Sequence, residues 1–292
     1  MKNIIRLTRP YQWIKNMFIF MPMFFGGALT DVKAIVASIL AFFAYSFVAS
    51  SIYCYNDIID VEDDRRHSEK CKRPIASGAI SIPMGYCTMG IAILLSALMV
   101  ALVGERWQNL ALVLLCYFVM DIMYCRWLKR YAIVDVCVLS FGFVLRILAG
   151  SAVTGVVASH WLVMMTFLLS LLLSFAKRRD DVVKLMTTGE SPRHNTHRYN
   201  LTFINQSITV TAAITVVCYI MYTISPEVVG RTNTEYLYLT TVFVLLGLLR
   251  YMQLTSVDEK SGDPTKLLYR DRFLQLVITL WICSYVLIIY VL

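Results

Sequence analysis

Acidic and amide side chains recur every fourth residue directly after a long apolar stretch. Residues 34–55 carry no charge, and Asn56, Asp57, Asp60 and Asp64 follow them. Residues four apart share one face of an α-helix, so Asn56, Asp60 and Asp64 would stack on one face. Because neighbouring carboxylates repel each other, a bound cation is needed to make this arrangement favourable. Oxygen ligands suit Mg2+, which commonly shares its coordination sphere with substrate phosphates. The spacing therefore predicts that Asp57, Asp60 and Asp64 bind Mg2+.

Basic side chains follow these acids in the same segment. They are Arg65, Arg66, Lys70, Lys72 and Arg73. Arginine and lysine side chains can hold phosphate oxygens by charge-assisted hydrogen bonds. The alternative is a solvated charged loop between two membrane spans. The helical spacing of the acids, at the end of a span, favours a metal-diphosphate site in which Asn56, Lys70 and Arg73 contact substrate.

The composition indicates a membrane protein. Of the 292 residues 58% are hydrophobic and 16% are charged, whereas roughly a quarter of a soluble domain is charged. A membrane span needs about 20 mostly apolar residues, and in lipid it must be helical. The predicted fold is therefore all-α and polytopic, a single integral-membrane domain over residues 1–292. The predicted spans cover residues 12–30, 33–55, 82–104, 107–125, 131–156, 160–176, 206–225, 235–251 and 272–291.

The basic residues are distributed unevenly between the two sides of these nine spans. Most of the 27 lysines and arginines fall in the N-terminal segment and in loops 56–81, 126–130, 177–205 and 250–271, whereas the opposite side holds Lys33, Arg106 and Arg231. Basic loops face the cytoplasm and its anionic lipid. This predicts a plasma-membrane (inner-membrane) protein with a cytoplasmic N-terminus and an outside C-terminus. The net charge of +8 then reflects these loops, and no nucleic acid is expected as a partner.

Two charged residues lie inside apolar spans. Asp121 and Arg146 occupy the fourth and fifth predicted spans, where a charge costs at least about 3 kcal/mol at mid-bilayer and marks function by default. The alternative is an internal pairing that fixes helix packing. We predict that Arg146 contacts substrate, and both readings stay open for Asp121.

The acidic pattern resembles a known family. The order Asn-Asp-x-x-Asp-x-x-x-Asp over residues 56–64, at the end of the second span, resembles the first aspartate motif of the UbiA superfamily of intramembrane prenyltransferases. Tyr124-x-x-x-x-Lys129 and Asp135 are similar to a further superfamily feature. This resemblance implies nine helices around a lipid-open cavity, with Tyr124, Lys129 and Asp135 at the substrate.

A second long loop separates branches of this superfamily. Members that act on aromatic rings usually show a second Asp-rich motif here, but residues 177–181 read Lys-Arg-Arg-Asp-Asp. With Arg-Pro-x-Gln-Trp-x-Lys-Asn over residues 9–16 and the stretches 145–150 and 269–276, the chain resembles the decaprenyl-phosphate phosphoribosyltransferase branch. That resemblance implies transfer of 5-phosphoribose from phosphoribosyl diphosphate to a polyprenyl phosphate, and related enzymes suggest a homo-oligomer. The alternatives are a UbiA-type transfer of a prenyl group to an aromatic acceptor and a transporter or structural membrane protein.

The residue chemistry fits the implied reaction. A polyprenyl phosphate is already an anionic nucleophile, so no dedicated general base is required. Lys129, Lys177 and Arg178 are predicted to hold phosphate oxygens of the donor, and Asp181 is predicted to contact substrate. Arg9 and Lys15, near the bilayer surface, are predicted to hold the lipid phosphate.

Overall fold

A computed structural model describes residues 2–67, 69–189, 191, 193, 195–258, 267 and 270–290, and these residues form helices, turns and loops without strands. The predicted cytoplasmic residues Lys260 and Lys266, the first residue of the 269–276 stretch and the last residue of the ninth predicted span lie outside them. Two compact units are present. The first comprises Met1–Lys129 and Gly142–Ala158, and the second comprises Arg130–Phe141 and Ser159–Leu292.

Eight helical segments of the described residues are long and apolar enough to cross a membrane. They are α3 (Val32–Ile59), α5 (Ile82–Leu102), α6 (Trp107–Arg126), α7 (Val134–Thr154), α8 (His160–Thr188), α9 (Leu201–Ile224), the segment Tyr236–Ser256 and α12 (Arg272–Tyr290). The seventh is a 3-10 turn, Tyr236–Thr240, that leads into α11 (Thr241–Ser256). The prediction of an all-α multi-pass protein is confirmed. The predicted count of nine spans is not confirmed.

The first predicted span accounts for the difference in number. The N-terminal region forms α1 (Lys2–Thr8), an 11-residue 3-10 helix (Pro10–Phe20) and the short α2 (Met21–Phe25) instead of one helix over 12–30. Proline lacks the backbone N–H and fixes φ, and prolines stand at the first position of the 3-10 helix and the second position of α2. The chain then turns at Gly27, whose φ of 70° suits glycine.

Polar side chains dock this N-terminal segment onto α3. Trp13 Nε1 donates to Ser50 Oγ at 3.1 Å, and Asn16 Nδ2 donates to Ser46 Oγ at 2.8 Å. Asn16 and Ser46 are both buried. A buried amide without a partner would cost free energy, so these bonds fix the register of the segment along α3.

The core of the first unit forms around α3. This helix packs chiefly against α5, with further contacts to α6 and to the 3-10 helix Pro10–Phe20. Its N-terminus is set by Asp31, whose carboxylate accepts from the Lys33 N–H at 2.9 Å. At its other end α3 is followed directly by α4 (Val61–Arg66), so the acidic segment begins where the buried helix ends.

The second unit contains a longer helix than predicted. Helix α8 continues to Thr188 and ends at Gly189, whose φ of 72° is the left-handed conformation that commonly terminates helices. Residues 177–188 therefore belong to α8, and the predicted loop 177–205 shortens to the stretch before α9. Lysine and arginine keep good helix propensity, so an apolarity criterion ends the span before the helix ends. Helix α8 packs mainly against α9, the short α10 (Pro226–Thr232) follows α9, and α11 packs against α12.

Candidate active site

The acids of residues 56–64 lie where α3 gives way to α4. Asn56 and Asp57 belong to the last turn of α3, Asp60 stands between the helices, and Asp64 lies in α4. The Asp60 N–H donates to the Asn56 carbonyl at 3.0 Å, and the Asp64 N–H donates to the Asp60 carbonyl at 2.8 Å. These bonds keep the helical repeat across the break. The four-residue spacing is thus present in the backbone, although it covers two helices.

Asp57 and Asp64 share one arginine nitrogen. Both carboxylates are buried, with 1% and 3% of their surface exposed. Arg73 Nη1 donates to Asp57 Oδ1 at 3.2 Å and to Asp64 Oδ2 at 2.6 Å, so the two carboxylates face a common point. Burial raises the pKa of Asp64 above its ordinary value, while Arg73 and Lys70 oppose that rise. Three of the predicted residues, Asp57, Asp64 and Arg73, therefore form one charged cluster.

A second arginine binds the same carboxylate. Arg9 Nη2 donates to Asp57 Oδ1 at 2.6 Å, and the Arg9 guanidinium lies 5.0 Å from the centre of the Tyr53 ring. The backbone of Arg9 has a φ of 50°, a conformation that residues other than glycine rarely adopt without support from their surroundings. The ion pair and the ring contact supply that support.

Lys129 joins the acidic segment through Asp60. Its Nζ lies 2.6 Å from Asp60 Oδ1 and 2.8 Å from Oδ2, and both side chains are partly exposed, at 25% and 22%. Tyr124, predicted together with Lys129, lies in the last part of α6 and packs partly buried against the core of the first unit. The fold brings Asp60 and Lys129 together, although they are 69 residues apart in the sequence.

The residues present fit a magnesium ion. Asp57 Oδ2 is buried and accepts no hydrogen bond within the part of the chain that the structure describes, so it offers a lone pair that a cation would satisfy. Mg2+ needs only one or two carboxylates and takes its other ligands from water and phosphate. No group of three acidic, histidine or cysteine side chains among the described residues is close enough to hold an ion by itself. Asp57 and Asp64 are the better-placed ligands, since they face a common point and Asp57 Oδ2 has no partner among the described residues, whereas Lys129 binds both oxygens of Asp60.

A second charged network lies within the second unit. Arg178 Nε donates to Asp135 Oδ2 at 2.7 Å, and Arg178 Nη1 donates to Asp181 Oδ2 at 3.1 Å. The Tyr199 hydroxyl donates to Asp135 Oδ1 at 2.7 Å, and Arg193 Nε donates to Asp181 Oδ2 at 2.9 Å. Asp135 and Arg178 are each 1% exposed. Burial raises the pKa of Tyr199, so its hydroxyl stays a donor.

This network contains predicted and unpredicted members. The sequence indicated Asp135, Arg178 and Asp181, and the structure brings all three together. Arg193 and Tyr199 were not predicted, because a lone arginine and a lone tyrosine in a polar loop carry no spacing signal. Their partners lie 12 and 64 residues away in the sequence. Only the fold of α7 and α8 identifies them.

The two remaining predicted lysines occupy different surroundings. Lys177 lies exposed on α8, and Lys15 is half-buried in the 3-10 helix Pro10–Phe20. Their assignments to the donor and to the lipid phosphate stay predictions.

Arg146 is enclosed within the first unit. Its Nε donates to Asn16 Oδ1 at 2.8 Å and its Nη1 donates to the Gly142 carbonyl at 2.7 Å. The guanidinium also lies 4.7 Å from the ring centre of Tyr45 and 5.3 Å from that of Tyr117. These contacts join α7 to the N-terminal segment and favour the packing reading over substrate contact. Asp121 interacts electrostatically with the same Arg146.

Comparison with known proteins matches residues 17–277 to the UbiA prenyltransferase family. A decaprenyl-phosphate phosphoribosyltransferase from Mycobacterium tuberculosis is 30% identical over 287 residues, covering 97% of this chain and 92% of the relative. A protein of the same name from Mycolicibacterium smegmatis is 30% identical over 295 residues, covering 96% and 90%.

A similar fold is found among solved structures. A UbiA homolog from Archaeoglobus fulgidus bound to GPP and Mg2+ superposes with a TM-score of 0.69 over 99% of this chain and 100% of that protein. Its sequence is 18% identical, so this likeness concerns the fold alone.

Proposed function

Because the chain belongs to the UbiA prenyltransferase family and is a multi-pass membrane enzyme of the transferase class, we propose that it transfers 5-phosphoribose from phosphoribosyl diphosphate to a polyprenyl phosphate of the decaprenyl type, releasing diphosphate. The mycobacterial relatives, which bear the name of this reaction and align over nearly the whole chain, support the proposal.

The observation that carries the choice of donor is the pairing of Asp181. This carboxylate accepts hydrogen bonds from both Arg178 and Arg193, so the acid of this segment lies within a network of arginines. A network rich in arginine suits phosphate groups. The pairing therefore favours a phosphorylated sugar donor over a prenyl diphosphate with an aromatic acceptor, for which a second acidic motif is expected.

The reaction is a substitution at the anomeric carbon of ribose. An oxygen of the lipid phosphate forms the new bond to this carbon, and the bond to the diphosphate oxygen breaks with its electron pair going to diphosphate. The nucleophile is already ionised, so no proton has to be removed. The enzyme must neutralise the leaving group and stabilise the positive charge that develops on the sugar.

The first unit supplies groups for the leaving diphosphate. We propose that Asp57 and Asp64 hold Mg2+, with Asp60 and Asn56 completing the oxygen set, and a bound Mg2+ would neutralise the diphosphate. Cations beside these acids would bind the remaining phosphate oxygens. They are Lys70, Arg73 and Lys129.

We assign the binding of the lipid phosphate to Arg9 and Lys15. Arg9 lies against Asp57 at 2.6 Å, and Lys15 follows it on the 3-10 helix. Lys15→Ala should raise the apparent KM for the lipid phosphate without changing that for the sugar donor. An unchanged KM for the lipid would remove Lys15 from the site.

The placement in the cell follows from the distribution of basic residues. We propose a single integral-membrane domain in the plasma membrane, with a cytoplasmic N-terminus and an outside C-terminus. Self-association into a homo-oligomer is part of the proposal and is tested by the mass of the protein–detergent particle.

The direct test offers both substrate pairs to membranes that contain the protein and Mg2+. One pair is labelled phosphoribosyl diphosphate with polyprenyl phosphate, and the other is labelled prenyl diphosphate with 4-hydroxybenzoate. We expect lipid-linked product only from the first pair, and Asp60→Asn should nearly abolish it while the protein stays folded. Product only from the second pair would overturn the proposed function.

A further inference from the structure

A groove in the second unit lies where two apolar helical segments reach the same membrane surface. Helix α9 ends at Ile224, and the next apolar segment begins at Tyr236. The short helix α10 lies in the connection between them. The groove has a volume of about 420 Å³, and its lining residues are Ile224, Pro226, Val229, Glu235 and Tyr238. This volume falls within the usual range of small-ligand sites.

Both walls of the groove are anchored to the second unit. On one side α10 packs against α9 and buries Val228. On the other side the 3-10 turn Tyr236–Thr240 is held by Thr240, whose hydroxyl forms a hydrogen bond with the Tyr219 hydroxyl at 2.7 Å. Between the walls Asn233 has a φ of 53°, the left-handed conformation that commonly ends a helix. The groove is therefore preformed by the fold.

The groove combines an apolar wall with one carboxylate and one aromatic ring. Ile224 and Tyr238 are 51% and 49% exposed, and Glu235 is exposed as well. Among the described residues Glu235 forms no ion pair, and it makes no capping bond to the turn that it precedes. A carboxylate with a tyrosine ring is a combination that recognises an ammonium group, through charge-assisted hydrogen bonds and the cation–π interaction.

The apolar wall identifies the kind of ammonium compound. Apolar side chains continue from Ile224 along the exposed surface of α9, through Ile220 and Val217. These three residues share one face of the helix, because they are spaced by four and three residues. An acyl chain can lie along this face while the headgroup of the same lipid reaches Glu235. A divalent metal ion fits less well, since it needs several oxygen ligands and the groove offers one carboxylate.

We propose that this groove binds a phospholipid with a primary ammonium headgroup, namely phosphatidylethanolamine. Its ammonium group donates to Glu235 and lies against Tyr238, and an acyl chain follows the exposed face of α9. The site lies at the far end of α9 from Tyr199, since this 24-residue helix is about 36 Å long. It is therefore distinct from the charged network of Asp135 and Arg178 and does not depend on the proposed function.

The test measures lipid binding to the purified protein in detergent by native mass spectrometry. Phosphatidylethanolamine is compared with phosphatidylcholine and phosphatidylglycerol that carry the same acyl chains. The wild type should bind phosphatidylethanolamine about fivefold more tightly than phosphatidylcholine, as expected for an accessible ion pair with a hydrogen bond that a trimethylated ammonium cannot donate. Phosphatidylglycerol, which carries no cation, should bind most weakly.

Two variants remove the proposed contacts separately. Glu235→Gln should bring the affinities for phosphatidylethanolamine and phosphatidylcholine within about twofold of each other, because the charge that the ammonium pairs with is gone. Tyr238→Leu should weaken the binding of both lipids, because both headgroups carry a cation that interacts with an aromatic ring.

Tyr236 and Glu105 provide matched controls. Tyr236 belongs to the same 3-10 turn and is 60% exposed, but it does not line the groove. Glu105 is an exposed carboxylate in the first unit. Tyr236→Leu and Glu105→Gln should keep the wild-type preference among the three lipids.

The outcomes decide between this ligand and other occupants. An unchanged preference in Glu235→Gln, or an equal loss in Glu105→Gln, would overturn the inference. Tighter binding of phosphatidylcholine or phosphatidylglycerol by the wild type would do the same. A dimer that dissociates in Glu235→Gln would make the groove an interface between two copies of the chain and would also overturn it. Because Glu235→Gln should leave the transfer of phosphoribose unchanged, failure of the proposed function would leave this inference standing.

Discussion

The ion pair between Asp135 and Arg178 should contribute far more to stability than the pair between Asp60 and Lys129. The first pair is almost fully buried, at 1% exposure on both sides, whereas the second is exposed at 22% for Asp60 and 25% for Lys129. Removing one member of a buried pair leaves an uncompensated charge and costs about 3–5 kcal/mol. An accessible pair contributes about 0–1 kcal/mol, because water screens it.

The same substitution at both sites gives a controlled comparison. Asp135→Asn should lower the free energy of unfolding by about 3 kcal/mol, at the lower end of that range, because Arg178 keeps its contact with Asp181 at 3.1 Å. Asp60→Asn should lower it by less than about 1 kcal/mol. Tryptophan fluorescence during denaturation of the purified protein in detergent measures both values.

A double variant tests whether the loss arises from the pair itself. Asp135→Asn combined with Arg178→Gln should be less destabilised than the sum of the two single variants, because both charges are then absent. If Asp135→Asn stays within about 1 kcal/mol of the wild type, or if Asp60→Asn is the more destabilised protein, the claim that the buried pair contributes more to stability than the accessible pair is refuted.

Substitutions at three further residues probe other contacts. Lys129→Met should lower kcat/KM by about 100-fold, as for loss of one charge-stabilising donor, with little effect on the denaturation midpoint; a normal rate would remove Lys129 from the site. Tyr199→Phe leaves the Ile133 N–H and one Asp135 oxygen without their shared hydroxyl partner, so unfolding should become easier by about 1–3 kcal/mol; an unchanged midpoint would contradict this. Arg146→Met should destabilise the protein by about 2 kcal/mol or more, and Arg146→Lys should not restore it because lysine lacks the planar guanidinium; a raised KM at unchanged stability would instead make Arg146 a substrate contact.

The local part of the site could be predicted from the sequence. The four-residue spacing from Asn56 to Asp64 depends only on helix geometry, and the backbone bonds across Asp60 preserve it. The apolar segments likewise predicted eight of the membrane helices, since a span in lipid has to be helical. These features need only neighbouring residues.

The partners of these acids could not be predicted from the pattern. Arg9 reaches Asp57 over 48 residues and Lys129 reaches Asp60 over 69 residues, and several other basic residues were equally plausible partners. The end of α8 was also misplaced, because apolarity marks where a helix leaves the lipid and not where it stops. The N-terminal span 12–30 is not confirmed as one helix, since Pro22 falls inside this apolar stretch, where a 3-10 helix gives way to a short α-helix.

The fate of each phosphate of the donor tests the central claim most directly. Phosphoribosyl diphosphate labelled on the 5-phosphate is compared with donor labelled on the diphosphate, each with polyprenyl phosphate, Mg2+ and the wild-type protein or Asp57→Asn. We expect the 5-phosphate label to enter the lipid fraction and the diphosphate label to stay in the aqueous phase, with the label in the lipid fraction lost in Asp57→Asn and in the presence of a chelator. Diphosphate label in the lipid, or undiminished transfer by Asp57→Asn, would contradict the proposed reaction and its metal site.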